Sequence, residues 1–191
     1  MGHMGPDEMR VALRGHVARC VVRHATADIE LASGRMSDFY FDGRLVTLAG
    51  ESLELLARLV IVELDRLGAT AVGGPTIGAD PIVGAVVALA ATEGKELKGF
   101  LVRKEPKSRG MRKQVEGPAL TADDRAVLVE DTVTSGGSLL RAAEAVRAER
   151  PDCAIVGAVA LVDREEGGAE ALAAAGIPLV SVFRRSDFPA D

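Results

Sequence analysis

Four times along the chain a short apolar run gives way to a stretch with helical spacing, and this alternation constrains the fold more than any other feature. The runs are TAVGGP (70–75), KGFLVRK (98–104), RAVLVED (125–131) and CAIVGAVALVDR (153–164), with IPLVSVF (177–183) closing the series. They are continuously apolar, as strands buried on both faces must be, whereas a half-exposed sheet alternates apolar and polar residues. Between or beside them, ESLELLARLVIVELDRLG (51–68) predicts a helix stopped by Gly68, and PIVGAVVALAATEG (81–94) one opened by Pro81. GSLLRAAEAVRAERP (137–151) predicts a helix stopped near Pro151, and GGAEALAAAG (167–176) a short one. The implied class is α/β, a mainly parallel sheet flanked by helices.

Upstream of this series, Pro6 to Ala25 reads as an amphipathic helix with Val11, Val17, Val21 and Val22 on one broad face. IELASGRMSDFYFDGRLV (29–46) reads as a short hairpin turning at Ser33-Gly34. The polar stretch from Glu105 to Ala122 has no core-forming period. At 191 residues the chain suits one domain with a sizeable core, spanning 5–191, and MGHM at 1–4 reads as a cloning scar.

Composition narrows the function classes. Aromatics are 3% with no Trp, which disfavours stacking platforms for single strands, and a net charge of -5 disfavours a duplex-binding surface. No nucleic-acid partner is expected. No apolar stretch reaches the roughly 18 residues of a membrane span and no signal-peptide pattern opens the chain, so no membrane partner is expected either. Cys20 and Cys153 read as buried free thiols of a cytoplasmic protein.

In parallel sheets, ligands sit beyond the carboxyl ends of the strands. After Val129 come adjacent acids, Glu130 and Asp131, then Thr132, Val133, Thr134, Ser135, Gly136, Gly137 and Ser138 leading into a helix. Glycines admit backbone N–H groups close to an anion, hydroxyls add donors, and a helix N-terminus adds partial positive charge. The run lacks the GK[ST] ending of a Walker A loop. Carboxylates beside such a loop suit a diol, so a sugar phosphate such as ribose 5-phosphate fits both parts. A Thr or Ser at this place also serves as an ordinary N-cap.

Three further strand ends carry polar clusters. RKEPKSRGMRKQVEG (103–117) brings Arg103, Lys104, Lys107, Arg109, Arg112 and Lys113 into a long irregular loop, a place where active-site lids occur and also where solvated charge runs occur. LVDREEGG (161–168) offers Arg164, whose planar fork suits a carboxylate or carbonyls, or simply a surface salt-bridge turn. GGPTIGADP (73–81) is a glycine-rich turn into a helix.

Taken in order, these motifs resemble those of the type I phosphoribosyltransferases. The lid pattern, the D-R-x-E-G run at Asp163–Gly167 and SGRMS followed by aromatics are similar to the orotate enzymes of that family. The resemblance covers roughly Glu30 to Phe183. It implies a core of about 49–191 under a small N-terminal hood of about 5–48. It implies transfer of ribose 5-phosphate from phosphoribosyl pyrophosphate (PRPP) to orotate, in pyrimidine biosynthesis, by a homodimer with shared sites.

By the same resemblance, Glu130 and Asp131 hold the ribose hydroxyls, and Asp131 to Ser138 the 5-phosphate. Arg103, Lys104, Lys107 and Arg109 take the pyrophosphate, and Thr134, Arg164, Tyr40 and Phe41 the orotate. Lys107, Arg109 and Asp131 are the catalytic candidates. Mg2+ is carried mainly through PRPP, with no direct side-chain ligand. The chain departs from the family at Arg109, where a His is usual, at Gly78, where some relatives have Lys, and at Ala32, where many have Lys. Two other readings share the pocket: transfer to another base, and a non-catalytic ligand sensor. No helix-turn-helix pattern supports a DNA-binding sensor.

Overall fold

The computed structural model describes residues 4–23, 26, 29–30, 36–105 and 113–189. The apolar runs form strands β5 (Ala71–Pro75), β6 (Lys98–Val102), β8 (Arg125–Val133), β9 (Ala154–Asp163) and β10 (Leu179–Arg184). These pair in parallel in the order β10-β9-β8-β5-β6, and a two-residue strand, β7 (Val115–Glu116), closes the β6 edge antiparallel. The stretch from Glu105 thus contributes a strand that its composition does not announce. Two residues are too few to show a period, and β7 exists because β6 offers it an edge.

The helices divide between the two faces. On one face lie α1 (Pro6–Ala18), α3 (Gly50–Leu67) and α4 (Ala79–Thr92), and on the other α5 (Gly137–Glu149) and α6 (Gly168–Ala174). Strand β8 shows why both faces of the sheet had to be apolar: Val127 and Val129 pack into the first layer, Ala126 and Leu128 into the second. α3 ends where the sequence predicts, at a left-handed Gly68. α4 starts two residues before Pro81, which therefore stands in the first turn, where its missing N–H costs nothing.

The N-terminal region departs from the sequence expectation. α1 stops at Ala18 rather than Ala25, and Val21–Arg23 forms strand β1, antiparallel to β4 (Phe39–Phe41). β-Branched Val21 and Val22 take the extended form once β4 supplies a partner. The buried stripe of α1 is Met9, Leu13 and Val17, spaced by four, which leaves Val11 73% exposed. A small hairpin of β2 (Ile29–Glu30) and β3 (Met36–Ser37) matches the predicted one, although Ala32, Ser33 and Gly34 at its turn lie outside the described residues. A one-turn helix, α2 (Arg44–Thr47), joins this region to α3.

At the amino ends of the strands, far along β8 from its acids, Asp124 ties three segments together. Its carboxylate accepts Lys98 Nζ at 2.7 Å, the Thr121 hydroxyl at 2.9 Å and backbone N–H at 2.6 Å, and the Thr70 hydroxyl at 3.0 Å. Burial pushes this carboxyl up, but the donors outweigh it and bring it down to about 2. A depressed folded-state pKa stabilises above the unfolded value, and the gain is lost as pH falls through the folded one. Asp124→Asn is expected to cost about 2 kcal/mol at pH 7, the gap to the parent closing between about pH 4 and 2 in urea-denaturation midpoints.

Candidate active site

The chain leaves β5 for β6 on one side and returns to β8 on the other, so the sheet's connectivity reverses between β5 and β8. A ligand crevice is expected outside the carboxyl ends of those two strands. A cavity of about 280 Å3 lies there, walled by Thr76, Ile77 and Gly78 after β5 and by Glu130, Asp131 and Ser138 at β8 and α5. Arg44, Arg103, Lys104, Gln114 and Arg141 complete its polar rim.

Glu130 and Asp131 leave β8 on opposite faces, as adjacent strand residues must, yet both carboxyls line this cavity. Glu130 turns toward α5, where Ser138 donates its hydroxyl to Oε2 at 2.6 Å. Asp131 turns toward the hood, against the backbone of Gly43. Gly78 fits between them only because it has no side chain: a Cβ there would lie 2.8 Å from Glu130 Oε1 and from Asp131 Oδ1.

Burial raises the Glu130 carboxyl to about 8, with Asp131 adding to the rise while Ser138, Arg141 and Lys104 oppose it. Burial also raises Asp131, against the pull of the Thr132 N–H, with Asp42 raising it further and Arg44 lowering it. Two such acids, Glu130 buried and Asp131 half-buried, are poised for a partner rich in hydroxyl donors or positive charge.

Beyond Asp131, β8 continues through Thr132 and Val133, and the turn at Thr134 and Ser135 ends at Gly136, the N-cap of α5, in a left-handed conformation. No side chain caps α5, so Thr134 and Ser135 are not serving as ordinary caps, and the first-turn N–H groups at Gly137 and Ser138 face outward from the helix start. This is an anion cradle next to the acid pair.

Arg164, at the end of β9, lies on the far side of that turn: its backbone N–H donates to Val133 O at 2.9 Å. The guanidinium is buried, with Nη2 3.1 Å from Phe39 O, 2.9 Å from Glu166 Oε1, and its carbon 5.7 Å from the Phe39 ring centroid. Glu166, not the neighbouring Asp163, is the acid that orients it; the Asp163 carboxylate accepts the Glu165 N–H. The expectation that Tyr40 and Phe41 cover one ligand is corrected by strand alternation. Phe39 and Phe41 are buried and Tyr40 is exposed, so of the predicted pair Tyr40 alone is accessible.

Arg103 and Lys104 sit at the cavity's edge, Arg103 with Nη1 3.6 Å from Glu116. Lys107 and Arg109 lie outside the described residues. The two stems of their loop are clasped by Gln114, whose side-chain amide donates to Arg103 O at 2.7 Å and Lys104 O at 3.3 Å. Glu149, at the end of α5, accepts the backbone N–H groups of Gln114 and Val115. Sequence reasoning missed Arg44, Gln114, Arg141, Glu149 and Glu166. The Asp42-x-Arg44 spacing after β4 was the available signal for Arg44, and the lone Gln among lid cations for Gln114.

Residues 70–175 match the family model of the phosphoribosyl transferase domain. The orotate phosphoribosyltransferase of Rhodopirellula baltica is 44% identical over 167 residues, covering 84% of this chain and 85% of that protein. The chain belongs to the orotate phosphoribosyltransferase family. The solved orotate phosphoribosyltransferase of Mycobacterium tuberculosis H37Rv in complex with Fe(III) dicitrate is similar with a TM-score of 0.79 and 36% identity, over 95% of this chain and 99% of that one. The same enzyme in complex with 5-phospho-alpha-D-ribosyl 1-diphosphate is similar with a TM-score of 0.73 and 33% identity, over 94% and 98%.

The raised Glu130 carboxyl makes the ligand-free protein's stability depend on pH. A folded-state pKa above the unfolded 4.5 contributes stability in full below that value, and the contribution is lost as pH rises through about 8. Glu130→Gln is expected to remove this loss, leaving denaturation midpoints flatter than the parent's from about pH 5 to 8.5.

Proposed function

We propose that this chain transfers ribose 5-phosphate from PRPP to orotate, giving orotidine 5'-monophosphate and pyrophosphate. One observation carries the reading: buried Glu130 and half-buried Asp131 share a cavity with basic side chains and adjoin the uncapped N-terminus of α5, and the Arg164 N–H is hydrogen-bonded to Val133, the last residue of β8. Glu130 and Asp131 accept the ribose hydroxyls, and Thr132 to Ser138 receive the 5-phosphate. Arg103, Lys104, Lys107 and Arg109 take the pyrophosphate. Thr134, Arg164 and Tyr40 hold the base, with Arg164 pairing its fork to an anionic pyrimidine.

A ring nitrogen of orotate displaces pyrophosphate at the anomeric carbon, forming the C–N bond as the C–O bond breaks. The C–O electron pair leaves on pyrophosphate, which also takes up the proton lost from the ring nitrogen as its N–H bond breaks. No protein nucleophile is required: among the described residues no Cys lines the cavity, and the Ser138 hydroxyl there is engaged by Glu130. Holding two reactants in line supplies about 7–11 kcal/mol. The basic rim stabilises charge on the leaving group, and positive charge developing on the sugar lies over the acids.

Among the described residues no group of three or more His, Cys, Asp or Glu stands ready for a metal ion. Two carboxyls beside a phosphate cradle do suit Mg2+ carried by the substrate's own oxygens. When bound, such an ion neutralises pyrophosphate charge.

Leu45, Leu48 and Ile77 are large, exposed and carried on segments adjoining the cavity, which supports a homodimer in which the basic loop reaches the neighbouring site. No described helix is long and apolar enough to cross a membrane, and we place the activity in the cytoplasm.

Mixing the protein with Mg2+, PRPP and orotate is expected to lower orotate absorbance, with no turnover of uracil or hypoxanthine. Lys107→Ala is expected to reduce turnover by about a hundredfold with the melting temperature unchanged. Binding of PRPP without turnover in the parent protein would instead make the site a ligand sensor.

A further inference from the structure

A pyrophosphate group entering this cavity meets unequal walls. The lid stems bring Arg103 and Lys104 on one side, but the loop after β5 presents Thr76, Ile77 and Gly78, with no cation among them. A Cβ at position 78 would already meet the ends of the Glu130 and Asp131 side chains at 2.8 Å, so with Gly78 the two carboxyls sit directly against this loop. The wall nearest the acids is therefore the one most in need of positive charge from elsewhere in the fold.

The hood meets that need. Arg44, the first residue of α2, lines the same cavity as Ile77, Gly78 and Asp131. Its placement follows from two contacts. Gly43 brings the hood backbone directly onto Asp131, a Cβ there lying 2.7 Å from the Asp131 Cβ and Oδ2. The guanidinium is then gripped by Asp42: Nε donates to Oδ1 at 2.9 Å and Nη2 to Oδ2 at 3.0 Å, while Oδ1 also accepts the Arg44 backbone N–H at 3.1 Å. The grip occupies one edge of the planar fork, and Nη1 has no partner among the described residues. A guanidinium held on one edge and open on another is preorganised for a second anion.

We infer that Arg44 is a ligand-contacting residue of this site, donating from its open edge to the pyrophosphate group and supplying the cation that the Thr76–Gly78 loop lacks. The inference rests on the cavity being the PRPP site and adds to it a residue outside the strand-end motifs. Asp42 is a positioning residue: it aims the fork and leaves the ligand to Arg44. Lysine cannot replace the arrangement, since one ammonium cannot keep the two-point grip and present a separate planar edge.

The test is calorimetric titration of the full chain with pyrophosphate and, separately, ribose 5-phosphate, both with Mg2+, on the parent, Arg44→Ala, Arg44→Lys and Asp42→Asn. Arg44→Ala is expected to weaken pyrophosphate binding and raise the KM for PRPP by about tenfold or more, with ribose 5-phosphate binding changed by less than about twofold. Arg44→Lys should recover only part of the loss, and Asp42→Asn should weaken pyrophosphate in the same direction by less.

Arg44 is exposed, so the two Arg44 variants should keep the parent's melting temperature. Should Arg44→Ala fail to fold, the decision passes to Arg44→Lys: parental pyrophosphate binding in that variant overturns the inference. A folded Arg44→Ala that binds pyrophosphate as the parent does overturns it likewise, while leaving the cavity as the PRPP site. A parent protein that binds neither pyrophosphate nor PRPP overturns both.

Discussion

Two carboxyl groups stacked in sequence at the end of a buried strand are costly to keep, and the site is organised around that cost. Glu130 and Asp131 sit near the carboxyl end of β8 in a setting whose burial raises both acids above their ordinary values. The protein answers them only in part, with one hydroxyl from Ser138 and the more distant charges of Arg44, Lys104 and Arg141. An unliganded site of this kind stores unmet demand for donors and positive charge. Under the proposed function, a diol beside a phosphate would meet the demand at the acids while the open amides of α5 would take the anion.

That turn is held from three directions. The reversal of strand order between β5 and β8 opens the crevice, and the close approach of Gly78 brings the β5 loop against the acids. The hood approaches from the third side through Gly43, carrying Arg44, while Phe39 anchors the same hood segment beneath Arg164. One short segment, Phe39 to Arg44, thus joins Arg164 to the acid pair, with Phe39 and Phe41 buried and Arg44 lining the cavity.

Much of the fold was legible because its determinants are local. Continuous apolar strands, Gly68 behind α3 and helical spacing in 137–151 each act over a few residues. What escaped was set by partners distant in sequence. Val21 and Val22 look like the end of a helix until β4 is known to pair with them, and β7 exists because β6 has a free edge. At the site, the acid pair and the turn to Ser138 were readable from composition at a strand end. Arg44, Gln114 and Glu166 were not, because their roles arise from contacts across the fold or across a loop: with Asp131 through Gly43, with Arg103 O and Lys104 O, and with Arg164. Tyr40 and Phe41 were misjudged together because adjacent strand residues diverge; Phe39, two positions from Phe41, shares its buried face.

The decisive measurement is a crystal structure of the protein grown with PRPP and Mg2+. The ribose 2- and 3-hydroxyls should lie within hydrogen-bonding distance of the Glu130 and Asp131 carboxylates, with the 5-phosphate on the first-turn amides of α5 at Gly137 and Ser138. A sugar phosphate bound elsewhere on the sheet, or a turn left empty at saturating ligand, would contradict the role given to the acid pair.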